Sequence, residues 1–150
     1  MKIIKITGIF LIVNLFISGF SIPAQAGVFD KFGVGARPIS MGHTYIACGE
    51  GPETIFYNPA GLTLEKSPEL SAMYANLYSL DLLNYYFLGL LYPGIAYGTI
   101  GLSMIYLGTS NNPSLASLDH SQNNILLSYA YRLSPYFNLG LNIKAFFVRS

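Results

Sequence analysis

From Leu82 to Leu118 the chain carries no Asp, Glu, Lys or Arg. So long an apolar stretch must lie in a protein core or in a membrane. A hydropathy window would read it as one or two membrane helices. Three features favour strands instead. Pro93-Gly94 falls inside the run and marks a tight turn. Gly89, Gly98, Gly101 and Gly108 dilute helix propensity. The surrounding segments also alternate with period 2 rather than 3.6.

The alternation is clearest toward the C-terminus. Phe137, Leu139, Leu141, Ile143, Ala145 and Phe147 share one face, with Asn138, Gly140, Asn142 and Lys144 opposite before Phe146 and Val148. The preceding segment sets Ile125, Leu127, Tyr129, Tyr131 and Leu133 against Asn124, Leu126, Ser128, Ala130 and Arg132. A third places Ile100, Leu102, Met104 and Tyr106 against Thr99, Gly101 and Ser103. Residues 69–78 and 84–92 read as strands by length and tyrosine content. A soluble β-sandwich also alternates, but its polar face meets water and carries Lys, Glu and Thr rather than Asn, Gly and Ser. An apolar outer face over a small or polar inner one is the pattern of a transmembrane β-barrel. Tyr78, Tyr85, Tyr92, Tyr106, Tyr131 and Tyr136 near strand ends suit its aromatic girdles. The expected fold class is therefore all-β, an antiparallel barrel with about five strands present.

The connections agree with that expectation. Residues 92–95 and 133–136 are short turns containing proline, while 108–121 is long and polar. Barrels place short turns on the periplasmic side and long loops outside. Strands at 69–78, 84–92, 95–107, 122–133 and 136–149 then alternate outward and inward consistently, with 79–83 a brief external loop. Single-chain bacterial barrels use an even number of strands, eight or more, and an open edge in lipid is costly. The chain is accordingly expected to be an N-terminal fragment of a longer protein.

The N-terminus reads as an export signal. Lys2 and Lys5 precede an apolar run from Ile6 to Phe20, Pro23 breaks it, and Ala24-Gln25-Ala26 fits a peptidase site before Gly27. The organisation expected is a leader at 1–26, a hatch or plug segment at 27–66 and barrel strands at 67–150. Without Lys2 and Lys5, six basic residues face seven acidic ones, a net charge of −1 that gives no electrostatic case for nucleic acid. Cys48 is the only cysteine, has no disulfide partner, and is read as a small packed residue.

Between leader and first strand lie Gly35-Ala36-Arg37-Pro38-Ile39-Ser40-Met41-Gly42 and Ile55-Phe56-Tyr57-Asn58-Pro59-Ala60-Gly61-Leu62. They predict a compact, turn-rich piece too small for its own core, with Asn58-Pro59 opening a turn and Gly61 free to be left-handed. These two elements, with the strand–turn–strand pattern of 124–141, resemble the FadL superfamily of outer-membrane proteins, in the form of its PorV/PorQ-like branch. The resemblance implies a fourteen-stranded barrel with an N-terminal hatch, and marks Gly35, Arg37, Met41, Gly42, Asn58, Pro59, Ala60 and Gly61 as hatch residues. It also implies passive transport of hydrophobic compounds such as long-chain fatty acids, or a partner barrel for type IX protein secretion. His43 stands where the motif usually has a small residue, and Cys48 is also atypical.

Asn124, Arg132, Asn138, Asn142 and Lys144 are expected to face the lumen, where they contact a carboxylate headgroup, pair with the plug, or solvate the interior. No enzyme, cofactor or metal site is expected. Gly33-Val34-Gly35 lacks the third glycine and βαβ setting of a phosphate loop. His43 and His120 have no ligand partners at metal spacing, and Glu50 and Glu53 read as solvated carboxylates. The expected partners are outer-membrane lipid and hydrophobic small molecules, or secreted proteins in the alternative. A β-rich circular dichroism spectrum in detergent is expected; a helical one would return the apolar run to membrane helices.

Overall fold

The computed structural model describes residues 32–42, 44–77, 83–95, 97–109 and 121–149, within one compact unit, Lys31–Ser150. The expected leader 1–26, His43, Tyr78, His120, and most of the loops 79–83 and 108–121 lie outside the described residues. Within the uncharged run, residues 83–95 and 98–109 are strands. Among the described residues no helix is long and apolar enough to cross a membrane.

Among the described residues there are five strands: β1 Glu69–Leu77, β2 Leu83–Ile95, β3 Gly98–Thr109, β4 Ser121–Ser134 and β5 Phe137–Arg149. Each pairs antiparallel with the next, giving one open sheet in the order β1-β2-β3-β4-β5. The fold is all-β with purely local strand connectivity. β1 and β5 are its edges.

Pro93-Gly94 is not the turn that the sequence suggests. Both residues belong to β2, where the register shifts between Pro93 and Ile95. Gly94, at φ 86°, is the extra residue of a bulge, which explains why a proline is tolerated inside a strand. The chain reverses two residues later, between Ile95 and Gly98, with Tyr97 left-handed at φ 64°. A second register shift, between Arg132 and Ser134, adjoins the Pro135-Tyr136 turn.

Residues 32–66 cross one face of the sheet. They form helix α1 Ala36–Ser40, a 3-10 turn Thr44–Ala47, helix α2 Thr54–Tyr57 and a 3-10 turn Pro59–Leu64. The last two lie against β3, β4 and β5. Ile55 and Leu62 are fully buried there, over Gly101, and Leu91, Ile105 and Leu126 of the sheet are fully buried too. Side chains of that size each contribute about 1.5–3 kcal/mol on burial.

The two faces of the sheet differ in chemistry. Burial alternates along β2, β3 and β4. The covered face holds small and polar residues such as Ser103, Asn124 and Ser128 among its aliphatic ones. The open face exposes Leu70 (69%), Leu88 (50%), Leu127 (49%), Leu141 (65%) and Ile143 (62%). Together they make a continuous apolar surface across the open face.

Gly89 and Gly101 give room on the covered face for Pro52 and Ile55, and Gly140 does so for the chain at Pro59-Ala60. A Cβ on Gly140 would lie 2.2 Å from the Ala60 nitrogen. Gly140→Ala is therefore expected to lift this turn off β5 at a cost of about 1–3 kcal/mol. Thermal melts and protease nicking after Asn58 measure it, and an unchanged variant would rule out so close a backbone approach.

Candidate functional site

The candidate site is the seam between residues 32–66 and the sheet. Its geometry begins at Gly33-Val34-Gly35. Gly33 and Gly35 are left-handed at φ 66° and 82°, and a Cβ on Gly35 would fall 2.5 Å from Glu53 Cγ. Val34 is fully buried. Its N–H donates to the Tyr57 hydroxyl and its carbonyl accepts from the same hydroxyl, both at 3.0 Å. The Tyr85 hydroxyl on β2 donates to the Gly33 carbonyl at 2.8 Å. Tyr85 therefore belongs to the covered face, 1% exposed, and not to the aromatic set on the open face that its place in the sequence suggested.

Asn58 organises the second motif. Its Oδ1 accepts from Ala60 N at 3.2 Å and caps the 3-10 turn, which has Pro59 at its start. Its Nδ2 donates to the Ile46 carbonyl at 3.0 Å, tying the two halves of the segment together. Gly61 does not adopt a left-handed conformation. It is required for space, because a Cβ there would lie 2.7 Å from Thr54 Cγ2. Of the first motif, Gly42 is the left-handed glycine, at φ 61°, and ends α1 with Met41. Arg37 is exposed and bonds Glu50 at 2.6 Å. Solvent screens an exposed pair of this kind, so it adds little to stability.

All five polar residues expected to share a face do so, and it is the face that the segment covers. Asn142 bridges the seam: Nδ2 donates to the Ile55 carbonyl at 2.7 Å, while Oδ1 accepts from Ser128 Oγ. Lys144 Nζ stands 5.9 Å from the Phe56 ring centroid, a cation–π contact with α2. Asn124 is buried and Asn138 half-buried, each with an Oδ1 that has no hydrogen-bond partner among the described residues. Arg132 pairs in register with Asn138 and lines a cavity beside Tyr97 with Thr63, Glu65 and Thr99. The arrangement joins a small segment to a sheet through a few directional bonds over an aliphatic patch.

Several contributors were not legible as site residues. Ser71 Oγ on β1 donates to Glu53 Oε1 at 2.5 Å, and Gly51 N donates to Glu65 Oε1 at 2.5 Å. Glu53 is thus a tie to β1 rather than a merely solvated carboxylate, and Glu50 is engaged by Arg37. Both line a cavity of about 700 Å³ between the segment and β1, together with Glu65 and Glu69. Cys48 lines it too and is exposed, contrary to its reading as a packed residue. Among the described residues no group of His, Cys, Asp and Glu is arranged to hold a metal ion. No family model, curated relative or solved structure matches the chain.

Burial raises the pKa of the Tyr57 phenol above its ordinary value, opposed by its hydrogen bond with Val34. Tyr45 is raised by burial in the same way, opposed by its bond to the Glu50 carbonyl. A raised acid favours the folded state while protonated, so this contribution is complete below about pH 10 and is lost as pH rises through the folded-state pKa. An absorbance titration at the phenolate band is expected to show Tyr45 and Tyr57 among the late-ionising tyrosines. Tyr45→Phe and Tyr57→Phe should each remove one, and ordinary titration of both would contradict their burial.

Proposed function

We propose that this chain supplies the hatch and the first strands of an outer-membrane β-barrel of FadL/PorV type. Its function is then the passive passage of hydrophobic compounds such as long-chain fatty acids. The observation that carries this reading is the inverted polarity of the sheet. Side chains such as Leu88, Leu127 and Ile143 are exposed on the open face, while Asn124, Ser128 and Ser103 are buried on the other. Water would drive the opposite arrangement, whereas hydrocarbon outside and a filled interior favour this one.

The strand dimensions support it. β2 to β5 run 12 to 14 residues, enough for the roughly 9–11 tilted residues that span a bilayer. The short reversals between Ile95 and Gly98 and between Ser134 and Phe137 lie at one end of the sheet, as short periplasmic turns do. In a barrel, the edges of β1 and β5 find strand partners and their backbone groups are satisfied. Residues 32–66 are then the hatch, and the resemblance of Arg37-Pro38-Ile39-Ser40-Met41-Gly42 and Asn58-Pro59-Ala60-Gly61 to FadL-type motifs supports that role.

The interior favours apolar cargo. Ile55 and Leu62 lie over Gly101, whose register partner is Leu91, so displacing the hatch uncovers buried aliphatic side chains of the sheet beside Asn142 and Lys144. Such a surface suits an acyl chain with a polar head, and it requires no cofactor and no reaction. Cells producing the full-length protein in their outer membrane are expected to take up a fluorescent long-chain fatty acid saturably and several-fold faster than cells without it. Equal rates, with the protein present in the outer-membrane fraction, would overturn the transport reading.

A further inference from the structure

The registers align the open-face side chains into rows that cross all five strands. One row runs Tyr74, Tyr86, Tyr106, Asn123, Phe147. Its first three rings stand side by side, with centroids 5.0 and 5.9 Å apart, and the Tyr74 hydroxyl donates to Asn84 Oδ1 at 3.0 Å. The next row outward, two residues along each strand, is polar: Asn76, Asn84, Gly108, Ser121 and Arg149. In the other direction come two aliphatic rows, the second of them Leu70, Leu90, Leu102, Leu127 and Ile143. Tyrosine then returns at Tyr92 and Tyr129, with Tyr131 one row further.

We propose that these rows set the depth of the sheet in a lipid bilayer. The Tyr74–Tyr86–Tyr106 row stands at one headgroup boundary, Tyr92, Tyr129 and Tyr131 stand at the other, and the aliphatic rows lie in hydrocarbon. This rests on the membrane reading above and adds to it a register with the bilayer. Tyrosine rings suit that boundary because the ring is apolar and the hydroxyl is wet. Six residues separate Tyr86 from Tyr92, about 20 Å of strand, or about 15 Å of height at a 35–45° tilt. Counting to Tyr131 raises the height to about 20 Å, a belt slightly thinner than the usual 25 Å apolar band. The position is narrowly determined. Sliding the sheet by one row toward its polar end draws Asn76, Asn84 and Arg149 into hydrocarbon, where an arginine is strongly unfavourable. Sliding it the other way leaves leucines in the headgroups.

The chain contains no tryptophan, so a single introduced one reports its own depth. Leu90→Trp and Tyr86→Trp are placed in the full-length protein, the parent spectrum is subtracted, and both are reconstituted in phosphatidylcholine vesicles brominated either near the glycerol or near the chain ends. Leu90→Trp is expected to be quenched at least two-fold more by the deep bromines, and Tyr86→Trp at least two-fold more by the shallow ones. Leu102→Trp and Leu127→Trp occupy the same row as Leu90 and repeat the deep measurement should Leu90→Trp not assemble. Lipid quenching without that difference in depth would overturn the proposed register while leaving the membrane reading intact. Quenching by aqueous acrylamide alone, with none from the brominated lipids, would overturn both.

Discussion

The phase of one strand relative to the next is the constraint on which the rest depends. Across four antiparallel registers, Asn142 stays opposite Ser128 and Leu141 opposite Tyr129, so every strand turns the same chemistry the same way. A slip of one residue would exchange Asn142 and Lys144 with Leu141 and Ile143, stranding polar groups among aliphatic side chains and removing the seam that receives Ile55 and Leu62. Because side chains alternate strictly, the whole sheet accepts or rejects a register together. The bulges at Gly94 and Leu133 sit next to the two-residue reversals, where an extra residue re-aims the chain without disturbing the paired rows.

Given that register, the segment docks through absence of side chains as much as through contacts. Gly140 admits the backbone at Ala60, Gly101 admits Ile55, and Gly61 admits Thr54. Directional bonds then hold the piece in place: Tyr85 to Gly33, Tyr57 to Val34, and Asn142 to Ile55. The fit is incomplete in its polar accounting. Thr54 Oγ1 and Ser103 Oγ are buried without hydrogen-bond partners, and such groups cost about 1–3 kcal/mol each. The seam therefore combines aliphatic burial with local polar penalties, a balance in keeping with the proposed hatch.

The structure departs from the expectations of the sequence at local points, and each departure has a physical cause. Pro93-Gly94 reads as a turn because its dihedral preferences suit one, but the same preferences suit a bulge, and cross-strand pairing decides between them. Gly61 looks like a left-handed position, yet its lack of a side chain serves Thr54, which is seven residues away and reached only through the fold. Tyr85 sits in a run where Tyr85, Tyr86 and Phe87 are all aromatic, so composition does not say which side of β2 each takes. Pairing puts Tyr86 beside Tyr74 and Tyr106 and puts Tyr85 against Gly33. Cys48 could not be placed from its residue type, because exposure depends on what crosses above it.

The sequence by itself determined the strand content, the antiparallel order and the separation of polar from apolar faces. Period-2 alternation and short connections are local properties, and they need no knowledge of distant residues. It also placed Asn124, Arg132, Asn138, Asn142 and Lys144 on one face, since alternation carries that information directly. Only the tertiary structure decided which face the 32–66 segment covers, which glycines give way to it, and that Tyr57, Tyr85 and Glu53 fasten it. Those three contacts join residues from 18 to 52 positions apart. They depend on the shape of two surfaces brought together, which no periodicity along one chain encodes.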